Sequence, residues 1–197
     1  MKTLVLDIYG VIIEESKGNF TPYVYSRFPE TDRARYRALF DQASRGVIDS
    51  EGFLRALGFC DVEAVKRDYI EKHSTLDPGF VPFAREFCGA FDFVLLSNDV
   101  LAWSEYLREF YDIGQYFSRA VISAAVGYRK PEREIFACAL EQVGVAAGEC
   151  LFVDNSAANV RAALTMGMEA VLFDRDGEAY EGKKVADFAE LAQVLRG

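Results

Sequence analysis

The chain has 197 residues, 51% of them hydrophobic and 27% charged, a composition that fits one good core, or a core with a smaller insertion, and excludes a disordered chain. Its 31 acidic against 22 basic residues leave a formal charge of −9, which excludes nucleic acid as the main partner while allowing a small anion in a locally basic pocket. No apolar run approaches a membrane span, and Cys60, Cys88, Cys138 and Cys150 are widely spaced with no CxxC pair; with the first strand starting at once and no leader ahead of it, the expectation is a cytoplasmic protein.

Thr3 to Leu6 are mostly branched and apolar, as in a parallel strand covered on both faces, and Asp7 follows where that strand ends. In open α/β sheets chemistry sits at the carboxyl ends of strands, so Asp7 is placed for reaction, although a strand-end Asp also caps turns. Residues 14–76 then read as helical and charged. TDRARYRALFDQASRG puts Tyr36, Leu39, Phe40 and Ala43 on one face with Gly46 as a stop. DSEGFLRALG reads as a short helix capped by Asp49 or Ser50 and closed by Gly58, and DVEAVKRDYIEKH repeats the pattern with Val62, Val65 and Tyr69. This predicts an inserted helical cap over 14–76, with residues 1–13 and 77–197 forming the α/β core.

From Asp77 the alternation of helix and strand resumes: a helix over Phe80 to Cys88, a buried strand through Phe93 to Leu96 ending in Ser97 and Asn98, and a helix from Leu101 to Phe110. A short strand near Ala120 to Ser123 precedes a basic loop with Lys130 and a helix whose first turn Pro131 suits. ECLFVDNSAANVRAALTMG gives a strand, the polar turn Asp154–Asn155 and a helix; MEAVLF is a further strand and VADFAELAQVLRG an amphipathic tail helix. The fold class is therefore α/β, a parallel sheet flanked by helices.

Asp7, Ser97–Asn98, Lys130 and Asp154–Asn155 together form the set that covalent phosphoryl transfer uses. A carboxylate attacks phosphorus, the Ser97 hydroxyl and nearby N–H groups hold phosphoryl oxygens, and Lys130 opposes the developing negative charge. Asp7 and Asp154 in proximity repel unless Mg²⁺ or Lys130 neutralises them, and Mg²⁺ is satisfied by a carboxylate, a main-chain carbonyl and an amide oxygen.

In these motifs the chain resembles the haloacid dehalogenase (HAD) superfamily of aspartate-nucleophile hydrolases: DIYGV with Asp7, LLSN with Ser97 and Asn98, RKPEREIF with Lys130, and LFVDNSAAN with Asp154 and Asn155. RKPEREIF, VDNSAANVRAA and SRGVIDSEGFLRAL look most like its glucose-1-phosphate phosphatase-like branch. The resemblance implies catalysis by Asp7 and Lys130, substrate contacts from Ser97, Asn98 and Tyr9, and Mg²⁺ held by Asp7, the Tyr9 carbonyl, Asp154 through water, and Asn155.

Two residues depart from the pattern. Tyr9 stands where family phosphatases carry the Asp that protonates the leaving group, and a phenol is a poor acid-base group at neutral pH. Asn155 replaces an Asp ligand and brings one charge fewer. The leading expectation is a Mg²⁺-dependent phosphatase of a small phosphorylated metabolite. The Asp-x-Tyr-Gly opening is also similar to 2-haloacid dehalogenases, which need neither metal nor leaving-group acid; Phe136, in place of that branch's tyrosine, and Asp154 speak against it. A phosphate-ligand-binding protein without turnover is the third reading. His73 is read as a surface or hinge residue, Trp103 as core, and Asp99 as a cap of the helix that follows it.

Overall fold

The computed structural model describes residues 2–15 and 20–197. Its centre is a parallel sheet of β1 (Lys2–Leu6), β2 (Phe91–Ser97), β3 (Arg119–Ile122), β4 (Cys150–Asp154), β5 (Glu169–Phe173) and β6 (Lys184–Val185), in the order β3-β2-β1-β4-β5-β6. The first strand is thus central, with Leu6 in register with Leu95 of β2 and Val153 of β4. Strand alternation sends Leu4 and Leu6 to one face and Val5 to the other, and both are dry.

On the Val5 face, α8 (Arg133–Val143) and α9 (Ala157–Thr165) bury Ile135, Phe136, Val160 and Ala163. On the other, α5 (Phe80–Phe87), α6 (Leu101–Phe110) and α10 (Phe188–Arg196) bring Phe80, Phe83, Leu107 and Leu191. Each fully buried Phe of this kind stabilises the fold by roughly 1.5–3 kcal/mol.

Between β1 and α5 the chain forms α1 (Phe20–Arg27), α2 (Arg33–Ser44), α3 (Ser50–Ala56) and α4 (Val62–His73). Aspartates start three of them: Asp32, Asp49 and Asp61 accept from the N–H groups of Arg35, Gly52 and Ala64. The two chain passages into and out of this helical segment lie side by side, with Ile13 bridged to Leu76 and the Glu14 N–H donating to the Thr75 carbonyl at 2.9 Å. Rings fill its interior: Phe20 meets Tyr69 edge-on at 5.0 Å and Trp103 of α6 at 4.5 Å, so the helices are seated on the sheet layer through aromatic contacts.

Three local expectations change. Pro131 lies before the helix, not in its first turn: the Lys130–Pro131 peptide is cis and α8 begins at Arg133. Asp99 does not cap α6 in the usual way, because its Oδ1 accepts from the adjacent Val100 N–H and no side chain caps that helix. The short β6 has no periodic signal in the sequence, since it contains only Lys184 and Val185.

Among the described residues no helix is long and apolar enough to cross a membrane, and the four cysteines are unpaired.

Candidate active site

Asp7 is the first residue beyond β1, and its N–H still donates to the Val153 carbonyl at 3.0 Å, so the backbone is held by the sheet up to the reactive side chain. Its Oδ1 accepts from the Ile8 N–H and from Lys130 Nζ, both at 2.8 Å, while Oδ2 accepts from none of the described residues. The chain then turns sharply. The Ile8 carbonyl takes the N–H groups of Val11, Ile12 and Ile13, and Gly10 supplies the required positive φ of 80°. Arg175, beyond β5, fixes the turn from outside by donating to the Gly10 and Val11 carbonyls at 3.1 and 2.8 Å while pairing with Asp77.

Lys130 is the hub. Its side chain is 1% exposed, and Nζ uses its three donors on Asp7 Oδ1 (2.8 Å), Asp154 Oδ2 (2.7 Å) and the Leu96 carbonyl (2.7 Å). Burial works against its charge, but the Asp154 and Asp7 carboxylates outweigh it and hold the ammonium above its usual range. For Asp7, burial is the larger influence: it raises the carboxyl to about 6, with Asp154 adding and Lys130 opposing. One cation between two carboxylates leaves the cluster one negative charge in excess, which a bound cation would compensate.

Asn98 has a role that its place in the sequence does not reveal. Its Oδ1 accepts from the Lys130 N–H at 2.7 Å and its Nδ2 donates to the Lys130 carbonyl at 2.9 Å, so it clamps the lysine backbone. The expected substrate contact from Asn98 therefore competes with a positioning duty that occupies both ends of its amide. Ser97 fits its expectation better: it is fully buried, and Oγ has no hydrogen-bond partner among the described residues, leaving a hydroxyl for a ligand oxygen.

Asp154 is fully buried at the end of β4 and has four hydrogen bonds. Oδ1 accepts from the Ser156 N–H at 2.8 Å, Oδ2 takes Lys130, and Asn159 Nδ2 spans both oxygens at 3.0 and 3.1 Å. Asn159 and Arg175 are the residues that motif reading misses. Asn159 has a faint signal, facing back on the strand end from the first turn of α9; Arg175 has none.

Tyr9 directs its hydroxyl to Asp99 as a donor to Oδ2, at 3.3 Å. Burial, followed by Asp99, pushes the Tyr9 phenol well above its ordinary value, and burial lifts Asp99 itself to about 7. Tyr9 thus keeps its proton and offers no acid-base equivalent of the aspartate it replaces.

The donor set suits Mg²⁺. Asp7 Oδ2 and the Tyr9 carbonyl accept no hydrogen bond from the described residues, and Asn155 stands half-buried next to Asp154, just past the end of β4. All are hard oxygen donors of the kind Mg²⁺ prefers, whereas Asp154, with both oxygens engaged in four hydrogen bonds, has no open position for the expected contact through water. No group of three or more His, Cys, Asp or Glu side chains that could hold a metal ion occurs among the described residues.

Phosphatase MT3486 of Mycobacterium tuberculosis is 31% identical over 104 residues, 53% of this chain and 48% of that protein, so the chain spans about half the length of that relative. D-ribitol-5-phosphate phosphatase of Bacteroides thetaiotaomicron is 22% identical over 185 residues, covering 86% of this chain and 90% of that one. A HAD phosphatase from Thermococcus onnurineus has the same fold, with a TM-score of 0.78 at 21% identity over 100% of this chain and 99% of that chain. So does the L-2-haloacid dehalogenase RSc1362, with a TM-score of 0.75 at 18% identity over 100% and 99%. A sequence model described as haloacid dehalogenase-like hydrolase matches residues 1–167, and the chain belongs to that family of hydrolases.

Proposed function

We propose that the protein is a phosphatase of small phosphate monoesters that uses Asp7 as nucleophile and Mg²⁺ as cofactor. The observation that carries this reading is the buried Lys130 ammonium shared between Asp7 and Asp154, with Asp7 Oδ2 left unengaged at the mouth of the site. In the first step Asp7 Oδ2 bonds to phosphorus, the ester P–O bond breaks, and the leaving oxygen departs with its electron pair, giving an aspartyl phosphate. Water then attacks the same phosphorus, freeing inorganic phosphate and restoring the carboxylate. Lys130 keeps Asp7 ionised and oriented, Ser97 Oγ holds a phosphoryl oxygen, and Asn98 fixes Lys130. When bound, Mg²⁺ supplies positive charge against the phosphoryl oxygens; Asp7, the Tyr9 carbonyl and Asn155 are the residues that would hold it.

The helical segment over residues 14–76 acts in this reading as the cap that selects the leaving group. Arg45, following α2, pairs with Glu132 at 2.5 Å, and Arg129 pairs with Asp41 at 2.7 Å, joining it to the loop that carries Lys130. Dehalogenation shares Asp7, Ser97–Asn98 and Lys130 with this reading and is favoured by Tyr9, whereas the fully buried Asp154 sets a negative wall against an anionic haloacid in a metal-free pocket.

The test is phosphate release from p-nitrophenyl phosphate, whose leaving group needs no proton. Turnover that requires Mg²⁺ and vanishes in Asp7→Asn is the expected result. Turnover that survives EDTA, or survives in Asp7→Asn, overturns the reading.

A further inference from the structure

Beside the candidate nucleophile, between the helical segment and the sheet, lies a cavity of about 120 Å³. Six rings make its walls: Tyr9 after β1, Phe20 of α1, Tyr36 and Phe40 of α2, Tyr69 of α4 and Trp103 of α6. It is of the order of the roughly 150 Å³ cavity that takes a benzene ring.

The polar groups along this cavity are partly engaged with one another. Tyr36 Oη accepts from Thr21 Oγ1 at 3.1 Å, Tyr9 Oη donates to Asp99, and Asn98 spends both ends of its amide on the Lys130 backbone. Asp99 takes the Val100 N–H on its other oxygen. A sugar or polyol here would trade its hydration for a wall made mostly of ring faces, at a cost of about 1–3 kcal/mol for each hydroxyl left unpaired. A flat apolar group loses nothing, and its ring gains edge and face contacts. Trp103 Nε1, on one of these rings, is buried and has no partner among the described residues.

The chemistry next to the cavity leads to the same occupant. Tyr9 Oη is engaged as a donor to Asp99 Oδ2. The leaving oxygen must therefore depart without a proton from this residue. A phenol, with a pKa near 10, tolerates this far better than an aliphatic alcohol, which lies closer to the value of about 15.7 for water.

From the six-ring cavity and the engaged Tyr9 hydroxyl together, we infer that the substrates are aryl phosphates, monoesters whose leaving group is a phenol seated among these rings. Asp7 Oδ2 bonds to phosphorus, the P–O(aryl) bond breaks, and the electron pair leaves on the phenolate, which takes its proton from water after release. This inference rests on the phosphatase reading above and adds the leaving-group class to it.

Phosphonates, whose C–P bond this chemistry does not break, separate binding from turnover. Calorimetric titration of the full chain in Mg²⁺ compares methyl-, cyclohexyl-, phenyl- and 2-aminoethylphosphonate. Phenylphosphonate is expected to bind at least tenfold tighter than methylphosphonate and about three- to tenfold tighter than the size-matched cyclohexyl compound, the range that ring–ring contacts of 0.5–1.5 kcal/mol give. Phe40→Leu, on a half-buried ring, is expected to reduce the preference for phenyl over cyclohexyl, and an unchanged preference overturns the seating of the ring in this cavity. Equal binding of methyl- and phenylphosphonate overturns the aryl inference and leaves the phosphatase reading intact, provided that Mg²⁺-dependent release from p-nitrophenyl phosphate persists. Tightest binding of the aminoethyl compound overturns it as well and reassigns Asp99 as a cation site. Absence of both phosphonate binding and turnover sinks the two readings together.

Discussion

Replacing Lys130 by Met keeps the side-chain length and removes the one cation that Asp7 and Asp154 share. The magnitude follows from the contacts: at 2.8 and 2.7 Å, with side-chain exposures of 1%, 10% and 0%, all three groups are out of water. Breaking a buried pair by deleting one partner costs about 3–5 kcal/mol, because the remaining charge is left uncompensated. The native protein then takes up protons to escape that cost, which gives the effect its sign with pH. Asp7 is already raised to about 6 in the wild type, chiefly by burial, and without Lys130 it rises further. An acid whose folded pKa lies above its unfolded value loses stability as pH rises between the two, at up to about 1.4 kcal/mol per unit for each proton retained. Urea unfolding in EDTA is therefore expected to show Lys130→Met less stable than wild type by about 3–5 kcal/mol at pH 8 and by about 1 kcal/mol at pH 5, with unchanged m-values. A deficit under about 1 kcal/mol at pH 8, or the same deficit at both pH values, refutes the idea that the ammonium's main structural task is to neutralise these two carboxylates.

Asp99 is raised to about 7 by burial, so the same sign applies, and the wild type forfeits up to about 4 kcal/mol from this group between pH 4 and 7; Asp99→Asn should flatten the stability profile in that window, and an unchanged slope in urea unfolding rules this out. Arg45→Ala removes contacts to Glu132 and Asp41 whose side chains are 36% and 45% exposed, so the expected loss is under about 1 kcal/mol in low salt and smaller still at 1 M NaCl; a large or salt-independent loss contradicts a screened surface network. Gly46 sits at φ +70° with a Cβ position only 2.1 Å from the Ala124 carbonyl oxygen, so Gly46→Ala must shift α2 from the core segment it touches, at an expected cost above about 2 kcal/mol; a thermal midpoint unchanged within a degree refutes that close approach.

The sheet and most helices were legible because their signals are local. Thr3–Leu6 and Phe93–Leu96 are continuous apolar runs that only a doubly covered strand explains, and the Asp49 cap and Gly58 stop announce α3 from either end. The short β6 was not legible, because two residues carry no period. Within the site, Asp7 and Asp154 could be named from the sequence, since each stands at a strand end and the strand ends converge in any parallel sheet, while Lys130, in the loop ahead of α8, is legible only through the motif it belongs to. What each side chain does after convergence is a different matter. Asn98 reads as a substrate contact, and that its amide also clamps the Lys130 backbone is not visible in the sequence, because a pairing 32 residues apart has no periodicity to reveal it.

Tyr9 shows where local and global information meet. From the sequence it is only a missing acid, which lowers the expectation of turnover on every substrate alike. In the fold its hydroxyl is tied to Asp99, ninety residues away, and its ring becomes one wall of a cavity whose other walls come from four separate helices. The same substitution that removes proton donation therefore adds apolar surface beside the leaving oxygen. A site altered in this way gains nothing from an alkyl ester, whose departure needs the lost proton and whose chain makes no ring contacts. Both changes favour one chemical class, and this joint dependence, rather than the absence of an aspartate at position 9, separates a specialised hydrolase from a degraded one.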